Sequence, residues 1–274
     1  MDAALIAERA KIRRADVITM IHFANAGHIG GSLSEMEILS VLYDSVLNIS
    51  PKTVNDPDRD RFLLSKGHSV EAYLAILADK GFIKKEELKT FSKAGSRLIG
   101  HPNNEVPGIE MCTGALGHGL SIGVGMALGA KRMNKSYKTY VLMGDGELAE
   151  GSIWEAAMAA ANFGLDNLFG IIDRNELQIS GTTEEVMALE NLAEKWTAFG
   201  WDVSEVDGHN VQQLLDYFNS SRPTGKPHCL ICHTVKGKGF PMGENKKEWH
   251  HKVPDMEQVK TSLQSLGVKG VDWL

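Results

Sequence analysis

YKTYVLMGDGELAEGSIWEAAMAAANFGLDNLFGIIDRN, residues 137–175, decides the fold. Residues 137–143 are an apolar run that reads as a buried strand, 152–163 carry apolar side chains at helical spacing, and 168–172 (LFGII) read as a second buried strand. Strand, helix and strand in one continuous stretch make a βαβ unit. Such crossovers are right-handed and set their strands parallel, so Asp145 and Asn175 emerge together at the carboxyl edge of the sheet, where open α/β folds hold ligands. The fold expected is α/β, a parallel sheet flanked by helices.

One carboxylate and one amide at that edge suit magnesium, which takes oxygen ligands in a near-octahedral shell and shares them between one or two protein carboxylates and phosphate oxygens. Gly144 and Gly146 let the backbone turn at the strand end and approach a phosphate closely. Taken alone, GDG is also an ordinary tight turn and Asn175 an ordinary loop residue. Their pairing at two strand ends favours a metal-bound diphosphate.

Outward from this unit, residues 4–23 and 34–46 read as helices, with Ser32 or Ser34 capping the second after a glycine-rich loop over 25–31 that brings His28 towards a ligand. Residues 51–61 read as a solvated loop, 70–79 as a helix, and 84–91 as a charged surface helix. Glycines recur at small spacing over 114–129, which permits close helix packing against the sheet or a neighbouring chain. No internal repeat or second domain boundary appears, so residues 1–274 are expected to form a single domain.

Composition narrows the function. The formal net charge is −6 with both signs interspersed, unlike the basic footprint of a nucleic-acid binder, and no apolar run is long enough to span a membrane. The amino terminus is an amphipathic helix with no signal-peptide core, so a cytoplasmic location is expected. Cys229, Cys232 and His233 spell CxxCH, a haem-attachment pattern, yet residues 227–235 read as a strand. On a strand the two thiols point to opposite faces and cannot grip one haem or one zinc.

Ten histidines are present, and His28, His68, His101 and His250 sit in polar or glycine-rich turns. Singly, each reads as a surface or structural histidine. An imidazole is also available for proton work near neutral pH.

The wording GDGELAEGSIWEAAMAAANFGLDNLFGIIDRNELQISG resembles the amino-terminal domain of transketolases. Further motifs follow in that family's order: AGHIGGSLSEMEIL from Ala26, DRDRFLLSKGHS from Asp58, GHP at Gly100, TGALGHGLSIGVGMA from Thr113, GWDVSEVDGHN from Gly200, VKGKG from Val235 and WHHKVP from Trp249. The resemblance covers nearly the whole chain.

That resemblance implies thiamine diphosphate with Mg2+, or Ca2+ or Mn2+ in its place. Asp145, Asn175 and the main-chain carbonyl of Leu177 would be metal ligands, and Gly144 and Gly146 diphosphate contacts. Gly114 and Leu116 would lie against the cofactor ring, with Leu116 and Ile179 as apolar supports. His28, His68, His101 and His250 would line the cleft as proton shuttles, His68 and His250 also touching the cofactor, and Glu150 would link paired active sites. His251 stands where the family usually has glycine, leaving open which of His250 and His251 faces the cleft.

The implied activity is transfer of a two-carbon ketol unit from a ketose phosphate to an aldose phosphate. The sequence ends before the family's pyrimidine-binding domain, whose glutamate activates the cofactor. The expectation is therefore a split transketolase, active with a separate carboxy-terminal subunit in a heterotetramer. The alternatives are a relative acting on another sugar, a deoxyxylulose-phosphate-type synthase, and a non-catalytic regulatory subunit.

Overall fold

The computed structural model describes residues 2–274. Five strands, β1 (Arg61–Leu64), β2 (Thr139–Gly144), β3 (Leu168–Arg174), β4 (Asp202–Asp207) and β5 (His228–His233), form one wholly parallel sheet in the order β1-β2-β3-β5-β4. The expected βαβ unit is present: β2 pairs with β3 in parallel, Gly144 opposite Asp173.

Among the described residues, ten α-helices surround the sheet: α1 (Ala3–Ala24), α2 (Ile29–Ser34), α3 (Met36–Val41), α4 (Val70–Asp79), α5 (His118–Arg132), α6 (Gly151–Asn162), α7 (Thr183–Val186), α8 (Leu192–Ala198), α9 (Val211–Asn219) and α10 (Met256–Leu266). Alternation along the strands separates two cores. Phe62, Leu64, Tyr140, Leu142 and Ile171 face α1, α3, α4 and α9; Leu63, Val141, Met143 and Ile172 face α5, α6 and α8. Coverage on both faces is why the central strands read as unbroken apolar runs. Cys232 belongs to the first core and Cys229 to the second, as a strand requires, and both are free and fully buried.

Several details differ from expectation. Residues 25–31 are not all loop, because α2 begins at Ile29 and takes in Gly30 and Gly31. Neither Ser32 nor Ser34 caps a helix. Their hydroxyls donate instead to buried carboxylates, Ser32 to Glu71 at 2.7 Å and Ser34 to Asp173 at 2.6 Å. The helix expected over 84–91 is a 3-10 turn, Lys85–Thr90, pinned by buried Leu88 and Phe91. The two edge strands, β1 and β4, lie outside the expectation: β1 begins at Arg61, inside the stretch expected as a solvated loop, and β4 is half-exposed and charged.

In α5 the glycines divide by face. A Cβ on Gly119 would fall inside Ser65, and one on Gly123 would sit 2.5 Å from Val141, so this side lies flat on the sheet. Gly125 points away, with nothing within 4 Å of the same position. Among the described residues no helix is long and apolar enough to cross a membrane.

Candidate active site

Because the strands are parallel, four of them deliver their following residues to one rim: Lys66 after β1, Asp145 after β2, Asn175 after β3 and Lys236 after β5. They line a cavity of about 430 Å³. Of the residues singled out in the sequence, His28, His68, Gly114, Leu116, Gly144, Asp145, Gly146, Asn175, Leu177, Ile179 and His250 also line it. His101 and Glu150 do not.

At the floor, Asp145 is buried. It accepts the backbone N–H of Gly146 at 2.8 Å and of Glu176 at 2.6 Å, with Arg174 at 3.3 Å. Burial pushes its carboxyl above the ordinary range and the nearby Asp173 charge adds to this, the backbone donors and Arg174 only partly offsetting them. Asn175 donates its amide to Asp173 at 3.0 Å and accepts the Leu177 N–H at 3.3 Å. The Leu177 carbonyl accepts Lys236 Nζ at 2.8 Å.

These donors fit a hard divalent cation: one carboxylate, one amide oxygen and one carbonyl on one wall, the carboxylate destabilised by burial and the carbonyl already facing a positive charge. They fit an anion beside it as well. Lys236 is buried, and burial, reinforced by the Lys66 charge, pushes its ammonium down to about 8. A bound diphosphate would supply the missing counter-charge. Neither Gly144 nor Gly146 needs a left-handed backbone to make the turn; the missing Cβ at Gly146 makes room for Gln178, whose Cγ would lie 3.0 Å from a Cβ there.

Lys66, on the cavity wall, belongs to a fully buried ionic cluster beyond the sequence expectation. Lys66 Nζ donates to Asp173 and to the Gly31 carbonyl at 3.0 Å and lies 3.0 Å from Glu35 Oε2. Two carboxylates share one ammonium, so burial pushes Glu35 up to about 8 while Asp173 keeps the charge. Glu147, also buried, accepts from Ser65, from Gly117 N–H at 2.8 Å and from Gly144 N–H at 3.1 Å, tying the 113–117 loop to the end of β2. Glu71 accepts the His28 N–H at 2.8 Å and fixes the turn that presents that ring; burial raises its carboxyl to about 7.

The histidines form one cluster around His28. Its ring centroid lies 5.2 Å from that of His68, 5.6 Å from His250, 6.4 Å from His101 and 4.5 Å from His251. His68 and His250 stack at 5.2 Å. Burial, then the neighbouring His251 and His101, holds His28 down to about 4. Burial and Lys66 hold His68 down to about 2; burial and Lys236 hold His250 down to about 3. All three are neutral imidazoles at neutral pH. Nδ1 of His28 and of His250 is buried with no hydrogen-bond partner, as expected of groups waiting for a ligand.

Between the two candidates of the WHH segment, His250 lines the cavity, while His251 does not and lies exposed against the His28 ring. His101 stands outside, packed on Gly114, whose left-handed backbone (φ +149°) and lack of a Cβ let the ring approach; a Cβ there would lie 2.8 Å from it. Ile179 is 71% exposed and Leu116 half-buried, so neither belongs to the core. Glu150 is exposed and precedes α6 as its N-cap residue without a side-chain capping bond, outside the cavity in this single chain.

Three comparisons bear on this arrangement. The family described as "Transketolase, thiamine diphosphate binding domain" matches residues 6–272. The chain is 53% identical over 254 residues to one of the subunits of apulose-4-phosphate transketolase from Phocaeicola vulgatus, covering 92% of this chain and 90% of that one. It is 40% identical over 264 residues to the 6-deoxy-6-sulfo-D-fructose transketolase subunit SqwG of a Clostridium species, covering 96% of each. Among solved structures, transketolase from Campylobacter jejuni matches with a TM-score of 0.90 at 30% identity, over 98% of this chain but 43% of that one. The chain thus spans less than half the length of that solved transketolase.

Proposed function

The chain belongs to the transketolase family, and from that membership we propose that it is the diphosphate-binding subunit of a two-chain, thiamine diphosphate-dependent ketol transferase. The observation that carries this reading is the cavity that Asp145, Asn175, Leu177 and Lys236 line together with neutral histidines, Lys236 donating to the Leu177 carbonyl. Relatives that are themselves named as individual transketolase subunits match over nearly their whole length, which supports a separate chain for the pyrimidine domain. The assembly is two plus two, with Glu150 at the junction between paired sites.

Asp145, Asn175 and Leu177 would hold Mg2+; Gly144, Gly146 and Lys236 would meet the diphosphate; Gly114, Leu116 and Ile179 would support the rings. When bound, thiamine diphosphate supplies an electron sink for breaking a C–C bond beside a ketone. The chain's own part is proton management. A sugar alkoxide or hydroxyl entering the mouth meets His28, His68 and His250, with His101 beside them, neutral rings that accept a proton or donate a hydrogen bond without an unfavourable charge in the buried site. Transfer runs from a ketose phosphate to an aldose phosphate, the individual sugars being selected together with the partner chain.

The test is ketol transfer to ribose 5-phosphate from xylulose 5-phosphate, apulose 4-phosphate or 6-deoxy-6-sulfofructose, with thiamine diphosphate and magnesium, by the chain alone and with a candidate pyrimidine-domain partner. Activity only in the mixture is expected. Activity of the chain alone overturns the two-chain reading, and silence with every donor in a verified complex overturns ketol transfer.

A further inference from the structure

We infer that Asp173 is a positioning residue that fixes which way the Asn175 amide points and so presents its oxygen, rather than its nitrogen, to the cation. This rests on the metal–diphosphate reading of the site.

The amide of an asparagine is nearly symmetrical in shape, and only its neighbours decide which end is the acceptor. At Asn175 that decision falls to two contacts. Nδ2 donates to Asp173 Oδ2 at 3.0 Å, and Oδ1 accepts the Leu177 N–H at 3.3 Å. The second is long. The first is made to a carboxylate that is itself immobilised, because Asp173 is fully buried and also receives Lys66 Nζ, Ser34 Oγ at 2.6 Å and Thr234 Oγ1.

Those donors come from the ends of β1 and β5 and from α2, so the carboxylate is clamped by the elements that frame the cavity. A charged acceptor at Nδ2 leaves that nitrogen with no reason to turn away, and Oδ1 remains directed towards the Leu177 segment. Asp173 itself does not line the cavity. It acts through Asn175.

Replacing Asp173 by Asn removes the charge and offers Asn175 a neutral amide that can be met in either orientation, so the metal faces oxygen in only part of the population. Loss of an outer partner of this kind typically weakens metal binding about 10- to 100-fold. The swap Asp173→Asn with Asn175→Asp restores a donor–acceptor pair and keeps the charge count, placing a carboxylate oxygen where the amide oxygen was.

The experiment measures Mn2+ affinity from the free-ion EPR signal at saturating thiamine diphosphate, in the complex that carries ketol-transfer activity. Melting curves without metal or cofactor report folding separately. Asp173→Asn is expected to bind Mn2+ about ten-fold or more weakly while still folded, and the swap to recover most of that loss. A folded Asp173→Asn variant with wild-type Mn2+ affinity overturns the inference and leaves the cofactor reading standing. So does a folded swap variant that binds no better than Asn175→Ala. Wild-type complex that binds no Mn2+ with the cofactor overturns the underlying reading and this inference with it.

Discussion

Lys236 Nζ stands 2.8 Å from the Leu177 carbonyl oxygen, so before any ligand arrives one wall of the cavity is held by an ammonium whose charge burial disfavours. A diphosphate would relieve that. Hydrogen bonds to charged groups contribute about 1.5–3 kcal/mol, so Lys236→Met should weaken thiamine diphosphate binding about ten-fold or more at saturating magnesium, read by calorimetric titration. An unchanged Kd would remove Lys236 from the diphosphate site.

Asp145→Ala should abolish magnesium-dependent retention of thiamine diphosphate by the complex, measured by gel filtration and cofactor assay. The variant loses the one carboxylate of the donor set and frees the N–H groups of Gly146 and Glu176 to face phosphate. Retention equal to wild type, with and without magnesium, would sink the metal assignment.

The neutral His28 predicts a pH signature. Its folded value, about 4, lies below the ordinary 6.5, so between these limits the unfolded chain binds the extra proton. Its stabilisation is therefore complete above about pH 6.5 and is lost as pH falls towards 4. Glu35 and Glu71, raised to about 8 and about 7, act with the opposite sign over part of that range, so only a difference between proteins isolates the histidine. His28→Gln should show a smaller loss of melting temperature than wild type from pH 7 to pH 5. Parallel curves would mean that His28 titrates normally.

The two faces of α5 should respond oppositely to added methyl groups. Gly123→Ala pushes a Cβ to 2.5 Å from Val141 on the sheet, and overpacking of this kind costs about 1–3 kcal/mol. Gly125→Ala meets nothing within 4 Å and gains helix propensity, so it should be neutral or stabilising by up to about 1 kcal/mol. Urea denaturation of the isolated chain measures both. Equal effects would contradict the orientation of the helix.

The parts of this site legible in the sequence were those written as local pattern. Asp145 and Asn175 follow two apolar strands closely enough for the crossover rule to bring them together, and His28, His68 and His250 sit in polar or glycine-rich turns that the composition marks and that line the cavity. Lys66, Glu35 and Asp173 were not legible in that way. The Lys66–Asp173 contact joins residues 107 positions apart, a separation that no local pattern signals, and Glu35 and Asp173 stand beside apolar runs with nothing local to mark them as partners. The one local hint was a charged residue in an apolar setting, as at Glu71 within VEAYLAILA. β4 is hidden in the sequence because DVSEVD places valines among charges, the composition of a sheet edge with solvent on one side.

Cys229 and Cys232, one on each face of β5, turn the middle of the sheet into its own reporter. Both thiols are fully buried, with ionisation suppressed by burial, whereas Cys112 is exposed. A thiol reagent added to the native chain should modify Cys112 at once and the other two only as fast as β5 opens. Since one thiol faces each core, unequal labelling of the pair would tell which layer of helices lifts away first.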